Sequence, residues 1–203
     1  MSYLVSGMIL GLSSGLAPGP LFTLVLSETL RYGLGSGVKV AIAPVITDLP
    51  IIILTLIVIS NFSGIHLIMG VISLAGALFV AYLGLETFSS TGLDDGDVLS
   101  EERSLHKGIV ANLLNPHPYL FWMTVGSPLV VRAYQESMFH AGFFIAGFYL
   151  FLVCSKVGLA VLAAKSRHAL QGRAYRLCMR ALGVLLWIFA AILARDGVRF
   201  LFS

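Results

Sequence analysis

The chain is a succession of long apolar stretches parted by turns and clusters of charge, and a helix needs about 20 apolar residues to cross the hydrocarbon of a bilayer. The stretches run from about Tyr3 to Leu30, Val38 to Ile59, Ile65 to Phe88, Gly108 to Val131, Phe139 to Ala164, and Ala181 to Leu193 or a little beyond. The last is short and ends in Arg195-Asp196-Gly197. Of 203 residues, 58% are hydrophobic and 11% charged, against about a quarter charged in soluble domains. So few charges cannot cover a soluble globule. The expected fold is an all-α membrane protein of six transmembrane helices, which leaves no length for a soluble catalytic domain and excludes a cytosolic enzyme.

Asn61-Phe62-Ser63-Gly64 reads as the turn between the second and third spans. Residues 89–107 form one long hydrophilic loop, carrying Asp94, Asp95, Asp97, Glu101 and Glu102 among Ser and Gly, and are expected to be mobile. This loop divides a single transmembrane domain, 1–203, into a first half of residues 1–88 and a second of 108–203. Lys and Arg are retained on the cytoplasmic side of short loops. Loops one, three and five hold Arg31, Lys39, Arg103 and Lys107, then Lys165, Arg167, Arg173, Arg176 and Arg180; the opposite side holds Arg132, Arg195 and Arg199. Both termini are therefore expected outside and the long loop in the cytoplasm. The first stretch lacks a basic leader segment and reads as a retained helix, and the inner membrane of a prokaryote fits the lack of targeting signals. The net charge of +3 comes from cations placed between apolar runs, so a nucleic-acid partner is not indicated. Cys154 and Cys178 form no redox or zinc spacing.

Each half opens on a hydrophobic helix broken by proline. Pro18-Gly19-Pro20 interrupts the first span and Pro116-His117-Pro118 the fourth, 98 residues apart. Three helices per half is an odd number, so the second half must be inverted relative to the first, a common transporter plan. Each proline strips the hydrogen bond from the carbonyl four residues earlier, freeing Ser14 and Leu16 in the first span and Asn112 and Leu114 in the fourth. Free carbonyls at membrane depth are tolerated where they are buried in protein or line a wet cavity.

Two charges lie deep in apolar sequence: Asp48, between Pro44 and Pro50 in the second span, and Lys156 in the fifth. An ion at that depth costs about 2.5 to 3.5 kcal/mol on insertion scales, so neither faces lipid. They either form a structural salt bridge or face a polar cavity, where Asp48 takes a proton or a substrate ammonium and Lys156 a carboxylate. Asn112, Asn115 and His117 cluster at the fourth-span break and either bind a ligand or satisfy the freed carbonyls. Glu28 and Glu86 lie near span ends and read as solvated. Gly7, Gly11 and Gly15 recur every fourth residue, a face for close helix packing. No His or carboxylate spacing suggests a metal site, and no cofactor is implied.

Taken together, Gly15-Leu-Ala-Pro-Gly-Pro20, Arg31-x-Gly33 with Gly37, the second-span Asp48, Gly76-Ala77-x5-Leu83-Gly84 with Tyr82, and Asn115-Pro116 resemble the lysine exporter (LysE/RhtB) family over essentially the whole chain. The resemblance implies a six-helix exporter of amino acids or related small solutes, driven by proton entry.

The expected mechanism is alternating access between the two halves, with a substrate site between the breaks built from Ser14, Leu16, Pro18, Gly19, Pro20, Asp48, Asn112, Asn115, Pro116, His117 and Lys156. A zwitterion's ammonium would meet Asp48 and the freed carbonyls, and its carboxylate Lys156 or a half-helix N-terminus. Protonation of Asp48 would couple export to protons. The partners are then a small amino acid and the lipid bilayer, and the plan allows a homodimer. The alternatives are a cation or metal-ion exporter on the same scaffold, and a non-transporting membrane scaffold subunit.

Overall fold

The computed structural model describes residues 2–60, 65–90, 98–167, 170 and 172–202. All regular structure among them is helical: α1 (Ser2–Leu16), α2 (Pro20–Tyr32), α3 (Leu34–Ser60), α4 (Ile65–Phe88), α5 (Val98–Leu113), α6 (Pro116–Phe121), a π-helical turn (Trp122–Gly126), α7 (Ser127–Glu136), α8 (Met138–Arg167) and α9 (Arg173–Phe202). Four stretches, Leu34–Ile53, Leu67–Phe88, Met138–Arg167 and Arg173–Phe202, are long and apolar enough to cross a membrane, and α1 with α2 makes a fifth, bent by 64° at its break. The turn expected at 61–64 lies outside the described residues.

The surface reverses that of a soluble protein. Leu78, Leu162, Leu177 and Phe139 are exposed, while Glu28, Asp48, Lys156 and a series of Ser and Thr hydroxyls are buried. Apolar side chains facing outward and polar ones facing inward are what a hydrocarbon solvent selects.

Where the chain starts and stops its helices follows local chemistry. Pro20 sits at the first position of α2, where its missing N–H is one the helix would leave unpaired. Gly33 ends α2 at φ 100°, a left-handed conformation that favours glycine, and donates to the Thr29 carbonyl. Pro44 and Pro50 lie inside α3 without ending it.

Close packing joins helices distant in sequence. A Cβ at Gly7 or Gly11 would run into the backbone carbonyls of Phe144 and Phe148, and one at Gly15 into the Ser155 hydroxyl, so the small-residue face of α1 lies directly on α8. On the other flank, a Cβ at Gly84 would fall 3.1 Å from the Gly183 carbonyl and one at Gly183 2.9 Å from that of Gly84, which brings α4 against α9. α5 packs on α3, and α2 on α3 and α8.

Three readings of the sequence are corrected. The hydrophilic loop, placed at 89–107, gives way to helix at Val98, because Ser104 and Lys107 turn inward onto Glu28. The sixth span does not stop near Leu193: α9 continues to Phe202, with Arg195 beside Asp196 and Gly197 packed on Leu74 of α4. The fourth span, expected from about Gly108 to Val131 with one break at Pro116 to Pro118, starts at Val98 with α5 and is divided again after α6 by the π-helical turn before α7.

The glycine face makes a testable claim. Gly11→Ala sets a methyl against a backbone carbonyl that cannot swing aside and is expected to lower stability by about 3 kcal/mol. Gly158→Ala, on the exposed face of α8 with open space around it, is expected to change stability by about 1 kcal/mol or less, in the stabilising direction. Thermal unfolding of the two variants in detergent checks the difference.

Candidate binding cavity

The first break leaves the C-terminal carbonyls of α1 without helical partners. One of them is met from another helix: the buried ammonium of Lys156 on α8 donates to the Gly15 carbonyl at 3.1 Å. The lysine thus caps α1 where the helix dipole is negative, and the close approach of α1 to α8 at Gly15 lets it reach.

The second break is closed by its own residues. The Asn115 N–H donates to the Asn112 carbonyl at 3.2 Å, and the Tyr119 hydroxyl to the Leu113 carbonyl at 2.8 Å. Leu114 presses its carbonyl against Gly76, where any side chain would collide. The Asn115 side chain caps α6 by accepting from the His117 N–H at 3.1 Å, so the helix restarts at Pro116 with an ordered N-terminus.

Between the breaks, Asp48 is held by three donors. Asn112 Nδ2 donates to Oδ1 at 3.1 Å, while Trp122 Nε1 at 3.3 Å and the Tyr149 hydroxyl at 3.2 Å donate to Oδ2. Asn112 uses its other N–H on Thr47 Oγ1 at 2.7 Å. Trp122 opens the π-helical turn, and Gly126 at the end of that turn leaves the space its indole occupies. Such turns recur at functional positions because the extra residue re-aims side chains. Phe148 meets the indole edge-on at 5.5 Å and fixes its plane. Among the described residues no ion pair joins Asp48 to Lys156, so the salt-bridge alternative is not found.

Asp48, Asn112, Trp122, Phe148 and Lys156 line one cavity of about 460 Å³, at the lower end of the roughly 300 to 1,000 Å³ of small-molecule sites. Of the candidate residues, Ser14, Pro18, Gly19 and Pro20 border it on one side, Asn112, Asn115 and His117 on the other, with Asp48 and Lys156 between. Leu16 and Pro116 are not in the lining: Leu16 is exposed on the outside and Pro116 is buried at the start of α6. The remaining wall is largely aromatic, from Phe22, Phe121, Trp122, Phe148 and Phe189. Sequence reasoning missed Trp122 and Tyr149. The available signal was an aromatic polar tip that, at membrane depth, must find an acceptor.

Glu28 and Glu86 are corrected as well. Glu28 is buried and accepts from the Ser104 hydroxyl and, at 3.0 Å, from Lys107 Nζ; Lys107 also reaches Glu86 at 2.7 Å, and Glu86 meets Arg31 at 2.9 Å. The network fastens α2, α4 and α5, with both cations near the Tyr32 ring. A solvated end was expected because the partner lies 79 residues away.

A helical chain with apolar faces turned outward, enclosing a cavity with a buried acid and a buried base, is a multi-pass membrane translocator in its construction. The chain belongs to the LysE type translocator family, whose model matches residues 12–197. It is 28% identical to the arginine exporter protein ArgO of Shigella flexneri over 97% of this chain and 95% of that protein. The same identity and coverage hold for ArgO of Escherichia coli O157:H7 and of Escherichia coli strain K12. No solved structure matches the chain significantly.

The ion network yields a prediction. Lys107→Met leaves the buried Glu28 carboxylate without its cation and is expected to cost about 3 to 5 kcal/mol, and adding Glu28→Gln is expected to recover most of the loss. A double-mutant cycle measured by thermal unfolding in detergent reads this out.

Proposed function

We propose that this chain is a secondary exporter of amino acids or related small zwitterionic solutes, working by alternating access between two inverted three-helix halves and coupled to proton entry. Residues 1–88 and 108–203 are the halves, and helices one and four, broken at Pro-x-Pro, supply the facing half-helix ends. Membership of a translocator family and similarity to the arginine exporters support amino-acid export. Reciprocal packing supports the inverted repeat: α1 of the first half lies on α8 of the second, α5, which leads into the second, lies on α3 of the first, and α4 meets α9. The basic residues favour outward termini with residues 89–107 on the cytoplasmic side, and the translocator family with its apolar helices supports a bacterial inner membrane.

The observation that carries the reading is the cavity between the breaks, which holds an acid and a base not paired with each other. Asp48, with Pro18 to Pro20, Ser14, Asn112, Asn115 and His117 around it, receives the ammonium end of the cargo, and Lys156 its carboxylate. A proton and an ammonium compete for the same carboxylate, so proton uptake at Asp48 releases cargo. Its hydrogen-bond shell suits that exchange. Trp122 and the Asn112 amide nitrogen can only donate, whereas the Tyr149 hydroxyl can turn from donor to acceptor when Asp48 gains a proton.

Transport into inverted vesicles under an imposed pH gradient is the test. Wild type is expected to respond to the gradient several-fold, as about 1.4 kcal/mol of driving force changes an equilibrium tenfold. Asp48→Asn is expected to abolish the response while the protein still inserts. Unchanged coupling in this variant eliminates Asp48 as the proton site.

A further inference from the structure

The charge content of the cavity defines a cargo class narrower than amino acids in general. Among the described lining residues there is one carboxylate, Asp48, and one ammonium, Lys156. An ionised carboxylate offers about four acceptor positions, and Asp48 already accepts from Asn112, Trp122 and Tyr149. One position remains, enough for one ammonium N–H. Lys156 spends one of its three N–H groups on the Gly15 carbonyl and keeps two for a carboxylate.

One free acceptor position on the acid and two free donors on the base complement the head group of a zwitterion, and the other polar groups of the lining, Ser14, Asn112, Asn115 and His117, add no negative charge for a second cation. A cargo with a guanidinium or a second ammonium brings an extra positive charge into a confined space that already holds Lys156 and has no second carboxylate in its described lining. Glu28 cannot serve, since it is outside the lining and already paired with Lys107 and Ser104. An extra carboxylate on the cargo meets the converse problem at Asp48. The cargo's side chain has instead the wall formed by Phe22, Phe121, Phe148, Leu152, Phe189 and Ile192.

We infer that the cavity takes neutral amino acids with apolar side chains and rejects cationic ones, and that Lys156 enforces the rejection. The inference rests on the amino-acid export reading and departs from the cargo in the name of the arginine exporters that this chain resembles. Like-charge repulsion at partly screened distances, with the loss of the apolar contacts, sets the expected discrimination at about tenfold or more. Within the neutral class, an apolar wall separates neighbours of differing size only modestly, about tenfold per methylene or less.

Counterflow in proteoliposomes containing the purified full chain decides the point, because exchange at equal pH on both sides needs no coupling ion. Vesicles loaded with leucine, methionine, phenylalanine, alanine, arginine, lysine or glutamate are tested for uptake of labelled leucine and, separately, of labelled arginine. Leucine, methionine and phenylalanine are expected to drive uptake, with arginine, lysine and glutamate about tenfold weaker or less. Lys156→Gln is expected to raise arginine exchange relative to leucine by about tenfold, while Lys156→Arg, which keeps the charge, continues to exclude arginine. Arginine exchanging as fast as leucine in wild type overturns the inference and leaves the export reading intact. Exchange of no amino acid at all overturns the export reading itself. Because Lys156 also caps α1, the Gln variant is paired with Lys156→Met; a folded variant of either kind that still excludes arginine overturns the role of Lys156.

Discussion

A hydrocarbon layer offers no hydrogen bonds, so a helix interrupted inside it survives where other parts of the protein meet its open carbonyls. This chain meets them in two ways. At the first break the partner is remote, a lysine on α8 reaching the Gly15 carbonyl. At the second break the partners are local, through the Asn115 N–H and the Tyr119 hydroxyl. The remote solution demands that α1 approach α8 closely enough for a side chain on one to reach the backbone of the other. Gly7, Gly11 and Gly15 make that approach sterically allowed. The packing of one flank and the placement of a buried cation are therefore one structural event.

The same constraint explains why the buried acid and base stand apart. A direct ion pair would neutralise both at little geometric cost, yet each is stabilised by dipoles: Asp48 by an amide, an indole and a phenol, Lys156 by a helix end. Contrast the Glu28–Lys107–Glu86–Arg31 network, where buried charges neutralise one another and tie helices together. Charges paired directly serve cohesion. Charges balanced by oriented dipoles retain the capacity to meet a ligand, because replacing a dipole by an opposite charge strengthens the interaction.

Much of the fold was legible because hydropathy is a sum over single side chains and lipid reads side chains singly. The third span was placed at Ile65 to Phe88, where α4 lies, and prolines stand where α2 and α6 begin. Legibility failed where one residue's environment is set by another far along the chain. Glu28 looks like a solvated end until Lys107 is folded onto it, and the helix from Val98 looks like a loop because its charges face those of α2 and α4. The run to Phe202 was cut short at Arg195 for the same reason, since a helix pressed against α4 tolerates charges that an isolated span would not. The cavity lining was legible as far as its prolines and buried charges. Trp122 and Tyr149 were not, since their approach to Asp48 depends on a π-helical turn and on a contact across 101 residues.

The glycine contacts limit what can move. Sliding α1 along α8 would carry Cβ atoms into carbonyls that the glycines now admit, and α4 against α9 faces the same barrier at Gly84 and Gly183. Close-packed interfaces of this kind move as units and do not deform continuously. α1 is thus tied to α8 and α4 to α9, and any angular change has to fall where backbone is free of such contacts. Gly19 has open space around it and extended geometry, and sits in the bend between α1 and α2. At the second break Asn115 is extended but bonded to the Asn112 carbonyl, beside the Leu114 carbonyl that Gly76 admits, so the first break is the freer of the two. The backbone that borders the cavity at the first break is thus the part of its wall least held by packing.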